Sequence, residues 1–154
     1  MIKFKEIMAE NRILIIKRKL SKNELLKKMS SLYKSDPKIS KPENILQDIL
    51  AREEIISTGI GAGIAIPHIH KEYIEGVNCA FAVVKESIDF DSMDNIPINF
   101  AIMILTSGKE HKRYLQTVAK FAKLLKEKEV KSDLLSCNSP EEILNILIKH
   151  ENNY

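Results

Sequence analysis

The sequence predicts an α/β fold, on three observations. Runs of nearly continuous apolar residues, Asn78 to Val84 and Ile96 to Leu105, have the length and character of buried strands. Ser-x-x-Glu boxes at Ser21, Ser40, Ser107 and Ser139 each precede apolar residues at helical spacing. The two kinds of segment are interspersed along the chain, which is the pattern of a sheet with helices packed on it. A length of 154 residues favours one domain, taken as residues 1–154 with a core from about 4 to 150.

In order, Ile13 to Ile16 is a short apolar run suited to an edge or first strand. The Ser21 box opens a helix carrying Leu25, Leu26 and Met29 to about Tyr33, where Asp36-Pro37 breaks it. The Ser40 box, with Pro42 near the first turn, opens a helix carrying Ile45, Leu46, Ile49 and Leu50 to about Glu54. A flexible glycine loop follows, then a short strand that Pro67 ends. After the central strand, Ile88-Asp89-Phe90-Asp91 alternates and leads into a polar turn. The Ser107 box predicts a long helix to about Lys126, with Leu115, Val118, Ala122 and Leu125 as its apolar stripe. A short helix near Val130 to Leu135 and a last one behind Ser139 follow, and Glu151 to Tyr154 reads as a polar tail.

Composition excludes several classes. Apolar residues make up 44% and charged residues 29%, as in an ordinary globular domain. The net charge of +3 is mostly lysine scattered along the chain, a solvated surface with no nucleic-acid footprint. Cys79 and Cys137 form no CxxC pair and read as free thiols in a reducing cytoplasm. No apolar run approaches membrane-spanning length, so no direct membrane insertion is expected.

The chemistry concentrates in Ser57-Thr58-Gly59-Ile60-Gly61-Ala62-Gly63-Ile64-Ala65-Ile66-Pro67-His68-Ile69-His70. Its G-x-G-x-G precedes a strand and lacks Gly-Lys-Ser/Thr, so neither the dinucleotide fingerprint nor the P-loop fits. His68 and His70 share a face on an extended backbone, but no Cys or His cluster completes a metal site, with His111 the only available third ligand. No G-x-S-x-G occurs and neither cysteine has an adjacent base, which leaves histidine as nucleophile. A neutral imidazole can attack phosphorus and later release it, given N–H donors and a cation nearby. Thr58, Gly59, Gly61 and Gly63 are placed to supply the donors, and Arg52, at the end of the second helix, the cation. His111, four residues before Leu115, heads the predicted stripe and points inward, either toward the site or as a satisfied core histidine. His150 ends the last helix, where a cation suits the dipole.

Arg52-Glu53-Glu54-Ile55, the run from Ser57 to His68, Ile88-Asp89-Phe90-Asp91, Ile96-Pro97-Ile98-Asn99-Phe100 and Glu110-His111 together resemble the fructose/mannitol-type (type-2) enzyme IIA domain of the bacterial phosphoenolpyruvate-dependent sugar phosphotransferase system (PTS). The resemblance covers nearly the whole chain. It implies the mannitol-type enzyme IIA fold, a mixed β-sheet flanked by helices in a three-layer sandwich. It implies a phosphotransferase in which His68 is the phosphorylated residue, His111 the second active-centre histidine and Arg52 the phosphoryl-stabilising arginine. The donor implied is the histidine phosphocarrier protein HPr, and the acceptor an enzyme IIB domain, usually on cysteine, acting with a membrane enzyme IIC. No metal or organic cofactor is implied. A nitrogen-related regulatory enzyme IIA of the same fold is the alternative, and a binding module with a fossil site is a third. The chain departs from the pattern at Ile69-His70, where a small residue usually follows the histidine, and at Lys112, where leucine is common. Both departures bear on the choice of partner.

Overall fold

A computed structural model describes residues 2–153. The elements are α1 (Phe4–Ile7), β1 (Ile13–Ile16), α2 (Lys22–Ser31), α3 (Ile45–Ile55), β2 (Gly59–Gly61), β3 (Ile64–Ala65), β4 (His68–His70), β5 (Val77–Ile88), β6 (Ile98–Thr106), α4 (His111–Leu124), α5 (Lys128–Leu135) and α6 (Pro140–His150). The strands form one mixed six-stranded sheet in the order β1-β5-β6-β3-β2, with β4 also paired to β6. β5 and β6 run antiparallel, β1 is parallel to β5, and β3 and β4 are both parallel to β6.

Period-two alternation sorts the side chains of the central pair. Cys79, Phe81, Val83, Phe100, Ile102 and Ile104 face a core shared with Phe4, Phe121, Leu124, Leu134, Ile143 and Leu147. Ala80, Ala82, Val84, Ala101, Met103 and Leu105 face a second core with Leu25, Leu26, Met29, Ile45 and Ile49. The sheet is therefore the middle layer, with α1, α4, α5 and α6 on one face and α2 and α3 on the other. This is the predicted α/β class and layering.

Of the four capping boxes, the Ser21 box forms in full and the Ser139 box forms its N-cap half. Ser21 Oγ accepts from the Glu24 N–H, and Glu24 Oε1 accepts from the Ser21 N–H, both at 3.1 Å. Ser139 Oγ accepts from the Glu142 N–H at 3.2 Å. The Ser40 box does not form. Its N–H and hydroxyl both donate to the Tyr73 carbonyl, beside an Ile39–Ile74 bridge, and α3 is entered through a 3-10 turn at Pro42–Asn44. Ser107 lies in a turn before α4, whose N-cap is Glu110 with no side-chain bond.

The glycine run is a tight hairpin, not a flexible loop. β2 pairs antiparallel with β3 across Gly61, Ala62 and Gly63, which adopt φ of 96°, 57° and 78°. Left-handed backbone is least costly for glycine, which accounts for Gly61 and Gly63. Asp94 Oδ2 accepts from the Ala62 N–H at 2.9 Å and Lys131 Nζ donates to the Ala62 carbonyl at 3.0 Å, holding the turn from two sides. Gly59 serves another purpose: a Cβ there would meet Ser92, including its Cα at 3.0 Å.

The start of the predicted polar tail is structural. Glu151 is buried, accepts from the Phe4 N–H at 3.0 Å and pairs with Lys120 at 3.2 Å. Lys120, itself buried, also donates to the Ile2 carbonyl and lies over the Phe4 ring. His150 is half-buried, and its Nε2 has no partner among the described residues, so it is not the surface residue its position suggested. Tyr154 lies outside the described residues.

Removing one member of a buried ion pair strands the other. Glu151→Ala is therefore expected to cost about 3 kcal/mol in urea unfolding, while Arg18→Ala, in an exposed pair at 3.9 Å, leaves the midpoint unchanged. Gly63→Ala has room for its Cβ, with the Pro97 carbonyl oxygen 3.7 Å away, so its cost is conformational. It is expected to lower stability by about 1 kcal/mol while leaving the His68 NMR resonances in place.

Candidate functional site

The register along β6 positions His68. Ile64 opposes Phe100, Ala65 opposes Ala101, His68 opposes Ile104 and His70 opposes Thr106, so β3 and β4 share one register across Pro67. Proline cannot donate to the ladder, but its carbonyl accepts from the Ile104 N–H at 2.9 Å, which keeps the strand attached through the break. His68 thus begins an edge strand. Ile69 between the two histidines is buried against the α2/α3 core, which turns His68 and His70 to the opposite face.

His68 is half-buried, and its Nδ1 lies 2.8 Å from the Ile66 carbonyl. A carbonyl only accepts, so Nδ1 carries the proton and Nε2 keeps its lone pair for the site. Burial pushes the imidazole pKa below its ordinary value. The Ile66 carbonyl opposes that shift, Arg52 adds to it and Glu53 opposes it more weakly.

Arg52 comes from the last turn of α3 and lines the same shallow cleft, of roughly 280 Å³, with Asp48, Ala51, Ile55, His68, Ile69, His70 and Lys71. Its guanidinium donates to the Ile56 carbonyl at 3.1 Å, closing the helix end. Glu53, the next residue, is buried and receives Lys22 at 3.0 Å, the Thr58 N–H at 3.1 Å and the Thr58 hydroxyl. That carboxylate ties α3 to α2 and to the entry of β2, and so holds Arg52 beside the cleft.

His111 is at the first position of α4 but is exposed, not inward-facing. The predicted stripe holds in its second half, where Val118 packs half-buried on the core and Leu125 is buried, but not at its head. Thr117, Lys120, Phe121 and Leu124 are buried, Tyr114 is half-buried, and Leu115 is 51% exposed. Tyr114 is the residue that brings the histidines together. Its ring centroid lies 5.3 Å from His68, 4.7 Å from His70 and 6.3 Å from His111. The sequence signal for it was its place three residues after His111 and seven before Phe121, on one helix face.

The glycine hairpin is not at the imidazole. Gly63 precedes Ile64, four ladder positions from His68, or about 13 Å along the strand. Thr58 lies across from Ile66, its carbonyl accepting from the Ile66 N–H at 2.9 Å, but its own hydroxyl and N–H donate to Glu53. The Gly59 N–H donates to Ser57 Oγ at 3.1 Å. The structure therefore gathers His68, Arg52 and, through Tyr114, His111, while the Thr58, Gly59 and Ala62 amides are taken by internal partners. No group of three or more His, Cys, Asp or Glu side chains among the described residues is arranged to hold a metal ion. No helix among them is long and apolar enough to cross a membrane.

The fold has counterparts among known proteins. The fructose-specific EIIABC component of the PTS in Bacillus subtilis is 27% identical over 150 residues, 97% of this chain and 24% of that protein, so the chain spans about a quarter of that relative. The nitrogen regulatory protein IIA-Ntr of Neisseria meningitidis superposes with a TM-score of 0.82 at 26% identity, covering 92% of this chain and 97% of that one. A chain from the Escherichia coli complex of mannitol enzyme IIA with phosphorylated mannitol enzyme IIB superposes with a TM-score of 0.75 at 23% identity, covering 93% and 97%, a likeness of fold. Residues 6–150 match the family described as phosphoenolpyruvate-dependent sugar phosphotransferase system, EIIA 2, and the chain belongs to that family.

Proposed function

We propose that this chain is a phosphoryl carrier in the cytoplasm, accepting a phosphoryl group from HPr on Nε2 of His68 and passing it to an enzyme IIB domain that works with membrane enzyme IIC in sugar uptake. The observation that carries the reading is the 2.8 Å contact between His68 Nδ1 and the Ile66 carbonyl, which leaves Nε2 as the free nucleophile. The Nε2 lone pair forms the new N–P bond as the donor's P–N bond breaks, and that electron pair returns to the donor's ring nitrogen. No proton leaves His68, because Nε2 carries none. The ring becomes cationic, and its Nδ1–H bond to Ile66 is charge-assisted in that state. Arg52, with N–H groups beyond the one held by Ile56, faces the phosphoryl oxygens across the cleft. Transfer onward reverses these steps, the acceptor's nucleophile forming the new bond to phosphorus and the P–N pair returning to Nε2. Tyr114 packs beside the His68 and His70 rings, with His111 next to it on α4.

The second reading, a regulatory enzyme IIA whose phosphorylation state decides which partner it binds, is supported by the likeness to IIA-Ntr over nearly the full length of both chains. Both readings share the carrier chemistry, so they separate at the acceptor.

With phosphoenolpyruvate, enzyme I and HPr, wild type is expected to take up labelled phosphate and His68→Ala none; an unlabelled wild type overturns the proposal. Labelled protein offered to IIB and IIC membranes should pass phosphate to sugar if it serves transport, and should retain it if it serves regulation. Arg52→Ala is expected to slow labelling by about a hundredfold with the melting temperature near wild type. The lowered His68 pKa gives the pH dependence its sign. The neutral ring dominates above that value, so the labelling rate should be level from about pH 7 to 8 and fall only as pH drops through a midpoint below about 6.5. In Arg52→Ala the NMR titration midpoint of His68 should move up, since a nearby cation is gone.

A further inference from the structure

His70 stands on the same face of β4 as His68, with ring centroids 5.7 Å apart, and meets the Tyr114 ring edge-on. Its Nδ1 is tied to the hydroxyl of Thr106, the β6 residue it opposes in the ladder, and Thr106 is fully buried. That anchor fixes the ring and leaves Nε2 at the exposed rim of the cleft that holds His68 and Arg52.

We propose that His70 is a second phosphoryl-contacting residue, which takes up a proton when His68 is phosphorylated and so couples phosphoryl occupancy to pH. The inference rests on the carrier reading above. In the unphosphorylated protein, burial and the neighbouring His68, His111 and Arg52 favour the neutral ring. Phosphorylation puts a dianionic group on Nε2 of His68, one ring away, and an opposite charge favours the imidazolium. The groups facing His70 are Asp48 and Arg52 from α3, His68 and Lys71 on and just after β4, Thr106 from β6, and His111 and Tyr114 from α4. Asp48 is engaged by the Tyr73 hydroxyl at 2.6 Å, and Arg52 and Lys71 are cations that oppose protonation. The phosphoryl group is therefore the added charge that changes the balance. The proton comes from solvent, and the resulting imidazolium carries N–H on both ring nitrogens, Nδ1 donating to the Thr106 hydroxyl and Nε2 to a phosphoryl oxygen. When the phosphoryl group leaves, the proton returns to solvent.

The test is histidine-resolved ¹H–¹⁵N NMR titration of the full chain, free and phosphorylated by phosphoenolpyruvate, enzyme I and HPr. It is paired with the phosphoryl equilibrium against HPr between about pH 5.5 and 8 in wild type, His70→Gln and Thr106→Val. The expected result is a rise in the His70 midpoint on phosphorylation. The wild-type equilibrium should also shift toward this chain as pH falls, more steeply than in His70→Gln, by a factor approaching about tenfold per pH unit between the two midpoints. Thr106→Val, which frees the ring, should fall between them. Phosphorylation that leaves the His70 midpoint and the pH slope unchanged overturns this inference and spares the carrier reading. Failure of wild type to phosphorylate at all overturns the carrier reading itself.

Discussion

The ladder along β6 is the constraint on which the site depends. One edge of β6 carries β5 in antiparallel register; the other carries β3 and then β4 in a single parallel register interrupted by Pro67. Because strand side chains alternate, a slip of one residue would put His68 and His70 into the α2/α3 core and turn Ile69 to the face they now occupy. The burial of Ile69 and the attachment of the Pro67 carbonyl to Ile104 both oppose that slip. The geometry of the candidate site is thus a by-product of sheet packing: the same apolar alternation that fills two cores decides which way an imidazole faces.

The helices add the rest of the site from opposite layers. α3 ends beside the cleft because Glu53 gathers Lys22 and Thr58 beneath it, and Arg52 is the residue that this leaves at the rim. α4 begins beside it, and Tyr114 fills the space between three imidazoles. Each contributor is weak alone. Together they bring a cation into the cleft of His68 and an aromatic ring against its imidazole, where water is partly excluded and charges interact more strongly than in bulk.

Much of this was legible in the sequence, and the exceptions have physical reasons. The strands of the central pair announced themselves because both of their faces are buried, so nearly every residue is apolar. His68 and Arg52 were recoverable because each sits at the end of a well-marked element. The start of α4's buried face was not. Leu115 looks like core by composition but is exposed, and the helix buries Thr117 and Lys120 beside Leu125, Lys120 because Glu151 and the Ile2 carbonyl satisfy its ammonium. That partner lies in a segment that composition marks as tail, so no local pattern could reveal it. The glycines misled for a similar reason: positive φ is equally needed by an anion-binding loop and by a hairpin turn, and only the fold separates the two.

The pairing of Lys120 with Glu151, and of the Phe4 N–H with the same carboxylate, has a further meaning for how such a unit can be used. Lys3 also reaches Asn152 at 2.9 Å, so the two ends of the fold leave the body side by side. Adjacent ends make the unit modular: it can be spliced into a longer polypeptide at either end, or be closed into a ring and reopened elsewhere, with the strain of the join falling on this clasp and not on the β6 ladder.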